Sequence, residues 1–168
     1  MRRPIRTLDV TTAPFASIGL NFATEQPSEA KAVTERSLAA GDRLLERGSF
    51  EAGDLTIYRG INGDFHDTVL AASRNRMLGE MIRTCHRVPA SSSRNIVAFE
   101  HRDARRRHDD HHRINDDHHR IYEAIIAGEP WRAEWLMREH VSSVKGSLIR
   151  AQAARYADQA DQTDRPST

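Results

Sequence analysis

The sequence predicts an all-α protein. Apolar residues recur at three- and four-residue intervals through most of the chain, which is the spacing of one helical face. No segment alternates apolar and polar residues as a half-buried strand does. Glycine and proline stand where the periodic segments end, most clearly at Gly128-Glu129-Pro130. These three observations predict a set of helices joined by short connections.

The composition bounds the class of protein. The 168 residues are enough for one domain with a core, and 38% hydrophobic with 29% charged residues is typical of a helical protein with a solvated surface. A formal net charge of +1 gives no nucleic-acid footprint over the whole chain. The single cysteine, Cys85, favours a reducing compartment. The chain contains neither a long apolar run nor a secretion signal, so we expect a cytoplasmic protein that does not cross a membrane.

The first half of the chain predicts three helices after an irregular start. Residues 1–28 lack periodicity and are interpreted as a poorly defined lead-in. Ser28 is a suitable N-cap for a first helix that ends near Gly48. A second helix is predicted from Asp54 to Ala72, and a third from Asn75 until Pro89 stops it. The apolar face of the second helix consists of Leu55, Tyr58, Ile61, Phe65 and Val69.

The second half predicts a helical hairpin. The loop signal at 90–93 is followed by an ambiguous segment, 95–107, in which a further helix could begin. Helices are predicted at about 109–127 and 130–156, because glycine suits the position after a helix and proline its first turn. Residues 29–156 thus form the predicted domain, and residues 157–168 are predicted to be a disordered tail.

Eight of the nine histidines fall into two groups. Most lie in a polar stretch that we interpret as a solvated helix surface, namely His101, His108, His111, His112 and His119. Three others, His66, His118 and His140, fall on apolar helix faces. A histidine in that position is usually a core residue with its hydrogen bonds satisfied. Three of them together are less easily explained in that way.

The spacing of these three histidines indicates a common centre. His118 lies ten residues before Gly128, and His140 lies ten residues after Pro130. In an antiparallel hairpin both rings would then lie about 15 Å from the turn, at the same depth. Asn62 precedes His66 by four residues, so both can point toward this centre. Three imidazoles and an oxygen ligand suit zinc, nickel or a similar divalent ion, although spacing alone leaves a metal-free core equally open.

Three sequence blocks resemble those of one known family. Asn62-Gly63-Asp64-Phe65-His66, with Leu70 and the stretch 72–78, forms the first block. The second runs over 118–129 (HHRIYEAIIAGE) and the third over 133–140 (AEWLMREH). In order and spacing they resemble the FCD domain, the FadR C-terminal-type effector domain of GntR-family transcriptional regulators. The resemblance spans roughly residues 29–150.

The resemblance implies an antiparallel helical bundle with a central metal and effector cavity. It implies Asn62, His66, His118 and His140 as metal ligands, with Asn62 standing where many relatives have aspartate. It further implies a small carboxylate effector and a homodimer. Residues 1–28 are too few for the family's winged helix-turn-helix, so we expect DNA binding only through such a domain missing from this chain.

The sequence also suggests how an effector would be held. An arginine is the usual partner of a planar carboxylate because its fork forms two parallel hydrogen bonds. Arg83, Arg87 and Arg94 are the candidates, by their place in the sequence. Effector binding would act as a two-state switch through different affinities for two helix arrangements. Neither the effector nor the native metal can be derived from the sequence.

Two alternatives remain beside the sensor. A metal-dependent enzyme with a three-histidine site would need a general base near the metal. Asp64, Asp67 and Glu123 do not share a face with the neighbouring histidines, and no nucleophile motif or phosphate loop is present, so we do not expect an enzyme. The other alternative is a metal-free helical interaction module, whose histidines are core residues.

Overall fold

The computed structural model describes residues 29–51, 53–86 and 104–163, and within these ranges it consists of helices with no strand. The all-α prediction is confirmed. The five helices are α1 (Glu29–Leu45), α2 (Asp54–Ala72), α3 (Arg76–His86), α4 (Ala104–Ile126) and α5 (Pro130–Thr163). None of these described helices has both the length and the apolar character that a bilayer crossing requires.

The helix ends follow local chemistry. The second helix spans the predicted residues, Asp54–Ala72. Gly128, with φ of +69°, ends α4, and its N–H donates to the carbonyl of Ile125 while that of Glu129 donates to Ala124. This pair of bonds is a Schellman motif, which satisfies the last carbonyls of α4 and turns the chain into α5.

Two predicted boundaries differ from the structure. The last helix continues to Thr163, so 157–163, expected in the disordered tail, are helical, while 164–168 lie outside the described residues. The segment 151–163 contains no glycine or proline and is rich in alanine and glutamine, both of which tolerate a helix well. The fourth helix begins at Ala104, five residues before its predicted start, and the predicted loop at 90–93 lies outside the described residues.

The core defines the directions of the helices. One buried cluster joins the middle of α1, the end of α2, the end of α4 and the start of α5, through Leu38, Phe65, Val69, Ile121, Tyr122, Ala124, Ile125, Ala133 and Leu136. The other joins the end of α1, the first half of α2, the first half of α4 and a later turn of α5, through Leu44, Leu45, Tyr58, Ile114 and Val144. Therefore α2 and α4 run one way and α1 and α5 the other, which makes each of the pairs α1–α2 and α4–α5 antiparallel.

A close approach fixes α4 against α1. Gly41 packs against the side chain of Asn115. This side chain fills the space that a Cβ atom on residue 41 would occupy. Asn115 Nδ2 donates to Asp42 Oδ1 at 2.7 Å, and His119 Nε2 contacts the same oxygen at 2.9 Å. Glycine in α1 therefore allows a polar clamp that sets the register of α4, the helix that carries His118.

Candidate metal centre

Three histidines from three helices meet between the two core clusters. His66 on α2, His118 on α4 and His140 on α5 each offer one ring nitrogen, and these nitrogens all lie within 4.8 Å of one another. The ring centroids are 4.9 Å apart for His118 and His140, 5.1 Å for His66 and His118, and 5.5 Å for His66 and His140. The structure thus brings together the three histidines that the sequence singled out, and we call them the histidine triad.

The surrounding core holds the rings of the triad. His118 stacks on Phe65 with a centroid distance of 4.0 Å and an interplanar angle of 16°. Phe65 is fully buried one residue before His66, so α2 supplies both the stacking surface and a second imidazole. The Schellman turn at Gly128 places His118 and His140 at equal depth in the hairpin. Helix geometry and this turn therefore bring His118 and His140 together, and the packing of α2 against both helices adds His66.

Burial gives His118 the protonation state of a metal ligand. His118 is 1% exposed and His140 is 3% exposed. Burial lowers the pKa of His118 well below its usual value, and the neighbouring His66, His140 and His119 lower it further. The His118 ring is therefore neutral at physiological pH and keeps a lone pair. Its Nε2 atom is buried and has no hydrogen-bond partner among the described residues.

The donor set fits a divalent ion. Nitrogens bound at about 2.1 Å to a tetrahedral metal lie about 3.4 Å apart, so small ring rotations from the observed spacing would suffice. A metal would satisfy this buried ring nitrogen, which has no hydrogen-bond partner in the described part of the chain and lies beside two further imidazoles. Three imidazoles also leave coordination positions for other ligands.

Asp117 supports the triad, and sequence reasoning missed it. Its Oδ2 lies 3.4 Å from His140 Nδ1, and its other oxygen, Oδ1, lies 3.4 Å from Arg120 Nη1. With a proton on Nδ1, His140 donates to this carboxylate and presents Nε2 as the ligand atom. The only sequence signal was its place beside His118, and adjacent helix residues do not normally share a face.

Asn62 and the nearby carboxylates occupy contrasting places. Asn62 lies one turn before His66 on α2 and is 2% exposed, so it is buried on the helix that bears the ligand. Its part as a fourth ligand stays a prediction. Asp64, Asp67 and Glu123 are exposed.

Of the three arginines suggested for the effector, only Arg83 lies in the described part of the chain. It is exposed on α3, and its Nε donates to the carbonyl of Gly79 on the same helix at 3.0 Å. Within the described ranges, its side chain makes no contact with the triad. Arg87 and Arg94 lie outside the described residues, so all three assignments stay predictions.

The interpretation of the polar histidine stretch was wrong at two positions. His111 is fully buried, and His108 is only 14% exposed at its side chain. His112 and His119, at 50% and 37%, are exposed as expected, and His101 lies outside the described residues. Helical periodicity did not predict the burial of His111, because its neighbours along the chain are polar. Its apolar contacts come from another helix and a loop.

Comparison with known families gives one match. The model of a family described as FCD domain matches residues 28–143, which is more than half of the chain and includes the whole triad. No curated protein matches the chain.

Proposed function

The chain belongs to the FCD domain family, and on that premise we propose that it is the effector-sensing domain of a GntR-type transcriptional regulator which binds a divalent metal through His66, His118 and His140. The observation that carries this proposal is the convergence of the triad, with one buried nitrogen of His118 that no described residue satisfies. Three separate helices supply the ligands, so a bound metal would tie α2, α4 and α5 together.

The chain's own residues divide the work at such a site. His118 is held neutral by burial and fixed by Phe65, while His140 is oriented by Asp117. Asn62 is proposed as an oxygen ligand from the turn before His66. A divalent ion, zinc or nickel in the proposal, would supply positive charge and open positions for a small carboxylate effector.

The placement of the triad suggests how binding would be transmitted. Each of α2, α4 and α5 contributes to both core clusters, one on either side of the histidines. A change in the spacing of the triad must therefore be accommodated by packing along the whole bundle. We propose that the effector selects one helix arrangement, that the domain works as a homodimer, and that the regulator contacts DNA through a winged helix-turn-helix.

Metal content tests the proposal directly. The chain purified without chelators is expected to carry close to one divalent ion, measured by elemental mass spectrometry, and the His118→Ala/His140→Ala variant is expected to carry none. The expected reason is the loss of two of three nitrogen ligands from a buried site.

The matched control is His112→Ala, which removes an exposed histidine from the same helix as His118 and should keep the metal. A wild-type chain that carries no metal, and whose thermal stability does not rise with added zinc or nickel, would contradict the proposal. That result would favour a metal-free helical module.

A further inference from the structure

Arg59 lies on the helix face that carries two of the proposed ligands. It precedes Asn62 by three residues and His66 by seven, all within α2. Seven residues fall about 20° short of two complete turns, so Arg59 and His66 have nearly the same direction from the helix axis. Their Cα atoms are separated by about 10.5 Å along that axis. The cationic side chain of Arg59 therefore lies two helical turns before His66, on the same face of α2.

Arg59 has a buried donor with nothing to bind. Its side chain is partly buried, and its Nε atom is buried with no hydrogen-bond partner among the described residues. The buried carboxylate on the same helix, Asp54, is already paired with Arg47 at 2.7 Å and accepts from the backbone N–H of Glu51. The other buried carboxylate, Glu134, is paired with Arg138 at 3.0 Å. None of the carboxylates in the described residues is therefore paired with Arg59.

An external anion would satisfy this donor. A buried N–H of a charged group that lacks a partner costs stability, and a carboxylate recovers that cost through charge-assisted bonds. Arginine presents Nε and one terminal nitrogen in a fixed fork that fits both oxygens of one carboxylate. Arg83 is less suited because it is exposed and its Nε already donates within α3.

We propose that Arg59 binds the far carboxylate of a two-headed effector, a dicarboxylate, whose near carboxylate is held at the histidine triad. This inference rests on the proposed function, since it needs the triad to hold the near end through a metal. It narrows the effector class from any small carboxylate to a molecule with two anionic ends, and it replaces the arginines suggested by the sequence with one from the ligand-bearing helix.

Thermal shift with defined probes tests the proposal. The zinc- or nickel-loaded chain is titrated with unbranched dicarboxylates from oxalate to adipate, with acetate as the single-headed probe. At least one dicarboxylate is expected to stabilise the wild type at tenfold or more lower concentration than acetate. In Arg59→Gln that advantage is expected to vanish, while acetate binding and metal content stay unchanged.

Two further variants separate recognition from folding. Arg59→Lys keeps the charge without the fork and is expected to retain part of the advantage, and Arg83→Gln is expected to retain all of it. Ligand-free melting and circular dichroism of each variant show whether it is folded. A wild type that no dicarboxylate stabilises better than acetate overturns the proposal, and so does an Arg59→Gln variant that keeps the full advantage.

A different measurement shows whether the proposed function itself is wrong. A metal-free wild type overturns the metal site before any carboxylate is added. A metal-loaded wild type without dicarboxylate preference leaves the metal site standing and overturns only the role of Arg59.

Discussion

Two groups of histidines in this bundle are buried, and they differ in the side chains that surround them. The histidine triad is one group. The other, here called the aromatic–histidine cluster, consists of Phe50, Tyr58, His108 and His111. His111 and His118 are seven residues apart on α4, so they lie on one face, and their exposed fractions are 0% and 1%. Burial alone therefore does not distinguish them.

The neighbours of each ring make the difference. The ring of His111 lies 4.7 Å from that of Phe50 and 4.7 Å from that of Tyr58, and Tyr58 Oη donates to the His111 carbonyl at 3.0 Å. His108 Nε2 lies 2.8 Å from the carbonyl oxygen of Leu45. These histidines serve packing and backbone hydrogen bonds. The His118 ring has two imidazoles beside it instead. Convergence of ring nitrogens, rather than burial, therefore indicates a metal centre.

The largest expected effect that tests this comparison is on stability at His111. His111→Ala empties a fully buried aromatic site, and we expect the free energy of unfolding to fall by about 3 kcal/mol in urea denaturation. Metal content is expected to equal that of the wild type. The control is His112→Ala, an exposed neighbour on α4, which should change stability by less than about 0.5 kcal/mol. A folded His111→Ala variant that has lost its metal would contradict the assignment of metal binding to the histidine triad alone.

An intermediate effect is expected at Asp117, which contacts His140 of the triad. In Asp117→Asn the partner of His140 Nδ1 loses its charge, and metal affinity is expected to fall by about ten- to a hundredfold in a competition titration against a chromophoric chelator. Asp116→Asn is the matched control, because Asp116 is its exposed neighbour and pairs with His112 instead. Unchanged metal affinity in Asp117→Asn would show that His140 needs no orienting carboxylate.

The smallest effect is expected at Tyr58. Tyr58→Phe removes the hydroxyl that donates to the His111 carbonyl, so we expect a loss of about 1 kcal/mol in unfolding free energy and no change in metal affinity. Burial raises the pKa of Tyr58, and Asp116 and Asp117 raise it further. Because the folded-state pKa is raised, this tyrosine's contribution is complete below the unfolded pKa of about 10 and is lost as pH rises above it.

The pH series therefore gives that prediction its own check. The stability difference between wild type and Tyr58→Phe is expected to be constant from pH 7 to about 9 and to shrink above about pH 10. A difference that grows with pH would mean that the tyrosinate is better accommodated in the folded chain than in the unfolded one.

Much of the fold and the triad could be predicted because the relevant signals are local. Helix α2 was predicted residue for residue, since its apolar face repeats over five positions and its ends are marked. The ten-residue distances of His118 and His140 from the turn fixed their common depth, because a short turn and a constant helical rise leave little freedom. The Asn62–His66 spacing put both on one face for the same reason.

The chain's own order of residues thus determined that it forms helices, where most of them end, and that His118 and His140 share a depth in the bundle. Only the tertiary structure decided that His111 is buried, that Asp117 contacts His140, and that Arg59 Nε has no hydrogen-bond partner among the described residues. Helical periodicity depends on neighbours along the chain and is legible in the sequence. Burial and pairing of a polar side chain depend on which element packs across from it, here Phe50 and Tyr58 against His111, and no local pattern carries that information.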